Sequence, residues 1–89
     1  MKPEMKISNI TGTRNWYLNG MFHREDGPAR EFANGSNEWF IHGRLHRVDG
    51  PAINWVVSGD KEWWLDGIEM TEQEWLNKVL FNEVKISPI

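Results

Sequence analysis

One heptapeptide occurs twice in this chain and constrains its fold more than any other feature. His23-Arg24-Glu25-Asp26-Gly27-Pro28-Ala29 returns as His46-Arg47-Val48-Asp49-Gly50-Pro51-Ala52, an offset of 23 residues. A second element, two aromatics followed by an aliphatic residue, a polar residue and Gly, occurs three times. It reads Trp16-Tyr17-Leu18-Asn19-Gly20, Trp39-Phe40-Ile41-His42-Gly43 and Trp63-Trp64-Leu65-Asp66-Gly67, at offsets of 23 and 24 residues. Self-similarity at this period marks an array of one small supersecondary unit whose copies bury a core only by stacking on one another. A residue that returns in each copy is explained first by the folding of the copy and only then by chemistry.

Turn dipeptides punctuate the chain: Thr11-Gly12, Asn19-Gly20, Asp26-Gly27, Asn34-Gly35, His42-Gly43, Asp49-Gly50, Ser58-Gly59 and Asp66-Gly67. Asn-Gly and Asp-Gly favour type I′ turns, because both residues tolerate positive φ and the turn's twist matches that of the strands it joins. The intervening runs are rich in aromatic and β-branched residues and read as short strands. The expected hairpins pair 29–33 with 36–41, 52–57 with 60–65 and 6–10 with 13–18. The one extra residue of the second copy falls near Val56-Val57-Ser58, as a bulge or a longer loop. In each Asp-Gly-Pro-Ala the proline has no N–H to give to a ladder, so pairing restarts at the alanine. Gly27 and Gly50 are expected where φ is positive or the backbone is crowded.

After Gly67 the pattern breaks. Thr71-Glu72-Gln73-Glu74 is a capping box, and Trp75, Leu76, Val79 and Leu80 follow on one helical stripe. The reading is a mainly β fold of one domain, residues 1–89. It comprises an antiparallel β-hairpin repeat meander over 6–70, one C-terminal capping helix over 71–82 and a tail over 83–89. A terminal cap is what a repeat sheet needs to cover its open end.

The size makes a core possible only with large side chains. Six Trp, four Phe and one Tyr among 89 residues supply them. A net charge of −3 argues against a nucleic-acid backbone as partner, which calls for clustered Lys and Arg. The chain has no Cys, which fits a reducing compartment and removes thiolate metal sites. It has no apolar run long enough to span a membrane and no signal-like stretch over residues 1–9. The expected location is the cytoplasm.

The aromatic-aromatic-aliphatic-x-Gly element followed by His-Arg-x-Asp-Gly-Pro-Ala resembles the repeats of small bacteriophage and bacterial proteins. These are distantly similar to MORN (membrane occupation and recognition nexus) repeats. The resemblance covers about residues 10–70 and implies an elongated twisted ladder of hairpins, no enzymatic activity and a scaffold role. The chain lacks the Tyr-x-Gly-x-Trp start of the standard MORN unit, which argues against lipid association. The phage-like character implies the host cytoplasm and a host protein as partner, a defence protein among the candidates.

Two sets of residues are candidate binding sites. His23, Arg24, His46 and Arg47 place a proton donor and a bidentate anion grip beside Asp26 and Asp49. The structural alternative carries more weight: Arg and Asp form a local ion pair at the turn, and His bonds a backbone carbonyl of the next hairpin. Alternation along a strand puts Trp16, Trp39 and Trp63 on one face, with Leu18, Ile41 and Leu65. Tyr17, Phe40 and Trp64 fall on the other. The helix is expected on the Trp16 face, which leaves Tyr17, Phe40 and Trp64 as a surface for a partner unless Arg14, Arg30 and Arg44 cover them.

No Gly-x-Ser-x-Gly elbow, carboxylate pair or helical His pair supports catalysis or a metal, so no enzyme activity, metal or cofactor is expected. The leading reading is a non-enzymatic interaction protein that binds and modulates or inhibits a host protein. The same surface, with two sheet edges, predicts a homodimer. The alternative is a binder of a nucleotide-like small molecule, with the base stacked on Tyr17, Phe40 or Trp64 and the phosphate held by Arg24 or Arg47.

Overall fold

The structure is a computed structural model and describes residues 2–81. Its strands are β1 (Glu4–Ile7), β2 (Arg14–Leu18), β3 (Met21–Phe22), β4 (Arg30–Glu31), β5 (Asn37–Glu38), β6 (Phe40–Ile41), β7 (Arg44–Leu45), β8 (Ile53–Asn54), β9 (Lys61–Leu65) and β10 (Ile68–Met70). One helix, α1 (Glu72–Leu80), follows. The main sheet runs β1-β2-β4-β5-β8-β9-β10, with β3 beside β2, and β6 pairs with β7. All pairings among the described residues are antiparallel. The fold is therefore the expected mainly β hairpin meander with one C-terminal helix. The first strand begins at Glu4, two residues before the expected hairpin, with Glu4 opposite Tyr17 and Ile7 opposite Arg14. The tail 83–89 and position 82 of the expected helix lie outside the described residues.

Each aromatic-aromatic-aliphatic strand ends in a two-residue turn with both φ angles positive. The pairs are Asn19 (55°) and Gly20 (77°), His42 (49°) and Gly43 (79°), and Asp66 (53°) and Gly67 (80°). These are the expected type I′ turns. Asp26-Gly27 and Asp49-Gly50 are not of this kind, because neither glycine has a positive φ. Crowding keeps them glycine: a Cβ there would lie 2.8 Å from the Cζ of Arg24 or Arg47, respectively.

The opposite ends of the hairpins carry a different loop. The Phe32 N–H donates to Ser36 O and Gly35 N–H to Phe32 O, both at 2.9 Å, closing a three-residue loop. In the second copy Trp55 N–H donates to Asp60 O (2.9 Å) and Gly59 N–H to Trp55 O (2.8 Å). That loop holds four residues, which is where the extra residue near Val56-Val57-Ser58 goes. Ser36, buried, accepts from Val56 N–H at 3.0 Å and links one loop to the next.

The copies join through a repeated set of main-chain bonds. His23 N–H donates to Trp16 O and His46 N–H to Trp39 O, each at 3.0 Å. Across each joint Arg24 N–H reaches Phe40 O (3.1 Å) and Arg47 N–H reaches Trp64 O (3.2 Å). Gly43 N–H donates to Phe22 O and Gly67 N–H to Leu45 O, each at 2.8 Å. Ala29 and Ala52 are fully buried, their carbonyls accepting from Trp16 N–H (2.8 Å) and Trp39 N–H (2.7 Å), which explains the small residue after each proline. The result is a slab with extents of 42 × 34 × 17 Å, thin enough that each sheet face lies close to solvent.

Helix α1 caps the last copy. Thr71 Oγ1 accepts from Glu74 N–H (3.1 Å), and Glu74 Oε1 accepts from Thr71 N–H (2.8 Å), the expected capping box. Trp75 is buried against Trp63, ring centroids 4.7 Å apart, so the helix sits on the expected face. Leu76 and Val79 are half-buried, whereas Leu80 and Phe81 are exposed.

Candidate functional site

The heptapeptide residues are positioned first by folding. Arg24 Nε donates to Asp26 Oδ1 (3.1 Å) and its Nη1 to Pro28 O (3.2 Å). Arg47 repeats this on Asp49 (2.8 Å) and Pro51 O (3.0 Å). Their guanidinium planes lie over indoles: Arg24 is 3.9 Å from the Trp16 centroid, and Arg47 is 3.8 Å from that of Trp39. Each arginine thus bridges the turn's Asp and proline carbonyl while covering its own copy's Trp by a cation–π contact. The three Trp of this face do not stack on one another. Two are covered by Arg, and the third, Trp63, is covered by Trp75 because Thr71 stands at the arginine's place.

His23 and His46 are buried, at 2% and 5% exposure. Both use Nδ1 as an acceptor, from His42 N–H and Asp66 N–H respectively, each at 2.9 Å. These rings bond an amide rather than the carbonyl that the sequence leads one to expect. The amide belongs to the first residue of the next type I′ turn, whose strained φ > 0 conformation the imidazole helps to hold. A neutral imidazole that accepts at Nδ1 carries its proton on Nε2. The two copies differ there. The Nε2 of His23 faces Glu25 Oε2 at 3.6 Å, but Val48 occupies that position in the second copy, and His46 Nε2 has no partner among the described residues. Burial holds the pKa of His46 below 6.5, partly opposed by the negative charge of Asp66.

The groove between these two joints gathers Arg24, Glu25, Trp39, Ile41, His46, Arg47 and Val48 around a cavity of about 190 Å³. Three candidate residues named from the sequence, Arg24, His46 and Arg47, therefore meet here, while His23 is sealed in the preceding joint.

Tyr17, Phe40 and Trp64 lie on the opposite face. Tyr17 and Phe22 are cross-strand partners with stacked rings 5.1 Å apart, and Phe22 continues to Phe40 at 5.1 Å. Leu45, directly across from Phe40, carries the stripe toward Trp64. Phe22 and Leu45 were missed in the sequence because the segments after each turn are too short to show alternation. Of the three arginines expected to cover this face, Arg30 does so, 4.8 Å from Phe22 and 4.9 Å from Phe32. Arg44 pairs with Asp66 at the turn (3.0 Å) and Arg14 is exposed. Lys6 reaches over Tyr17 at 5.8 Å.

Polar anchors hold the stripe in place. Arg30 bonds Asn15 (3.1 Å) and Glu38 (3.3 Å). The carboxylate of Glu62 accepts from both Trp55 Nε1 (2.8 Å) and Trp64 Nε1 (3.1 Å). Burial pushes the Glu38 carboxyl above 4.5, partly offset by Arg30 and reinforced by the charge of Glu62. The stacking rings and the two arginine grips stand on different faces, so the fold does not assemble them into one nucleotide clamp. Among the described residues no group of His, Asp and Glu could hold a metal ion, and no helix is long and apolar enough to cross a membrane. Comparison with protein-family models, curated proteins and solved structures finds no match.

Proposed function

We propose that this chain is a non-enzymatic protein-binding module whose working surface is the stripe Tyr17, Phe22, Phe40, Leu45 and Trp64. The observation that carries the reading is the placement of α1. It packs on the Trp63 face, and the stripe on the other face stays half-buried, with Lys6 and Arg30 as the side chains that reach over it. Rings held rigid by neighbours lose little entropy on docking and supply large contact area, which is why Tyr and Trp dominate binding hot spots. The heptapeptide side chains serve the fold: Arg24 and Arg47 bridge their own turns, and His23 and His46 accept from turn amides at Nδ1.

The partner is a host protein, bound and modulated in the host cytoplasm, as the resemblance to phage-type repeat proteins implies. A second copy of the chain competes for the same stripe and gives a homodimer when the partner is absent. The test compares wild type with Phe40→Asp. Light scattering coupled to gel filtration should give about twice the 10.5 kDa chain mass for wild type and a monomer for the variant. Partner capture from a bacterial lysate should fall in parallel. A variant that keeps its fold, its mass and its captured partner would remove the stripe from consideration.

A further inference from the structure

Three type I′ turns of one shape end the three aromatic strands, and two of them are occupied from across a joint. His42 N–H donates to His23 Nδ1 at 2.9 Å, and Gly43 N–H donates to Phe22 O at 2.8 Å. Asp66 N–H and Gly67 N–H repeat this on His46 Nδ1 (2.9 Å) and Leu45 O (2.8 Å). The occupant is the same both times. It is two consecutive residues of the neighbouring copy, the first lending its carbonyl and the second, a histidine, its imidazole.

The remaining turn, Asn19-Gly20, stands at the start of the array and has no such neighbour. Its φ angles, 55° and 77°, match the 49° and 79° and the 53° and 80° of the filled turns, so its two N–H groups are aimed alike. Both residues are exposed, and neither N–H has a partner among the described residues. A Cβ on Gly43 would lie 3.2 Å from Met21 and one on Gly67 3.6 Å from Arg44, whereas one on Gly20 would meet nothing within 4 Å. An open hollow of about 390 Å³ adjoins the turn, lined by Glu4, Lys6, Tyr17, Asn19 and Gly20.

The filled joint also shows what surrounds the occupant's side chains. The Phe22 ring lies on Phe40 with centroids 5.1 Å apart, and Arg30 covers Phe22 at 4.8 Å. At the open end Tyr17 holds the place of Phe40. Lys6, opposite Asn15, holds that of Arg30, opposite Glu38. A second copy has no free segment of this kind: His23 and His46 are buried in their own joints, and His42 is the third and last histidine and belongs to a turn.

We infer that the Asn19-Gly20 end of the array binds an extended segment of a partner protein in which a histidine follows an aromatic residue. The imidazole Nδ1 accepts from Asn19 N–H, the preceding carbonyl accepts from Gly20 N–H, and the aromatic ring lies on Tyr17 beneath Lys6. Main-chain bonds give the grip and the two side chains the selectivity, as in other modes of peptide capture on exposed backbone. The site touches the aromatic stripe at Tyr17 but stands on the repeat geometry, independently of the function proposed above.

The probe is acetyl-Met-Phe-His-Arg-amide, the sequence of residues 21–24, titrated into the whole chain and followed by amide NMR. Without peptide, the amides of Asn19 and Gly20 should exchange freely with solvent, while those of His42, Gly43, Asp66 and Gly67 are protected. The peptide should shift and protect Asn19 and Gly20. Methylating its histidine at Nδ1 should weaken binding about tenfold, the worth of one neutral hydrogen bond, whereas methylation at Nε2 keeps the acceptor and the binding. Protected Asn19 and Gly20 amides in the free chain, no shift of them at millimolar peptide, or equal binding of the two methylated peptides would each overturn the assignment. Shifts confined to Phe40, Leu45 and Trp64 would overturn it too, while leaving the stripe in place as a docking surface.

Discussion

Acid should loosen this protein at its second joint before the carboxylates respond. In the folded chain burial holds the pKa of His46 below 6.5, while the unfolded chain titrates near that value. Below 6.5 the unfolded state binds the proton and the folded state resists it, so stability falls as pH falls. The contribution is fully present above 6.5 and is lost as pH descends through the folded value. One proton over one pH unit sets a ceiling of about 1.4 kcal/mol on the loss at about pH 5.5. The structure gives the reason for the resistance. A protonated ring would turn a donor toward Asp66 N–H, where Nδ1 now accepts at 2.9 Å, and such an unsatisfied contact costs about 1–3 kcal/mol. With a urea m-value of about 1 kcal/mol/M, the midpoint should fall between about pH 7.5 and 5.5, by no more than about 1.4 M. Tryptophan fluorescence reads it, because Trp39 and Trp63 flank the joint. In His46→Asn the carboxamide oxygen keeps an acceptor near the Nδ1 position without titrating, and most of the pH-dependent drop should vanish. If the variant retains the full drop, the imidazole is not the titrating joint and the reasoning fails.

Other perturbations separate the remaining devices of the fold. Gly43→Ala forces a side chain into φ +79°, 3.2 Å from Met21 Sδ, and should cost about 1 kcal/mol or more in urea unfolding. Gly50→Ala meets only the end of a flexible chain, so Arg47 should lift from Trp39, with a smaller loss of stability and a shift in indole emission. Trp75→Ala removes the ring on Trp63 and the bond to Arg47 O, and should cost about 3–5 kcal/mol by the same unfolding assay, with the helical circular dichroism lost in step. The Thr71 hydrogen bonds hold the Glu74 carboxyl below 4.5, so its contribution is present above 4.5 and lost as pH falls through the folded value. Helical signal should fray in acid, and Glu74→Gln, which preserves the box, should remove that dependence.

The repeat made the hairpin order, the type I′ turns, the longer second loop and the capping helix legible, because each rests on local chemistry written at a fixed spacing. What the spacing hid was the direction of hydrogen bonding across a joint. Whether His46 meets a carbonyl or an amide depends on how one copy stacks on the next, and nothing local to His46-Arg47 encodes that. Gly27 and Gly50 read as turn glycines because Asp-Gly is a turn dipeptide; their requirement comes from an arginine folding back over them. The stripe was half legible. Tyr17, Phe40 and Trp64 announce themselves beside a Trp, but Phe22 and Leu45 sit in two-residue strands too short for a period to emerge.

The joint also says how this molecule could change length. Each copy ends by presenting a carbonyl, an imidazole and an amide, and each copy begins with the turn and the aromatic carbonyl that receive them. Duplicating residues 23–45 in register would hand the added copy the same connections on both sides, with the helix still seated on the last Trp. A tandem slip of 23 codons would thus yield a longer folded ladder rather than a broken one. Natural variation in such chains is then expected in whole copies, with lone insertions confined to loops of the Val56–Gly59 kind.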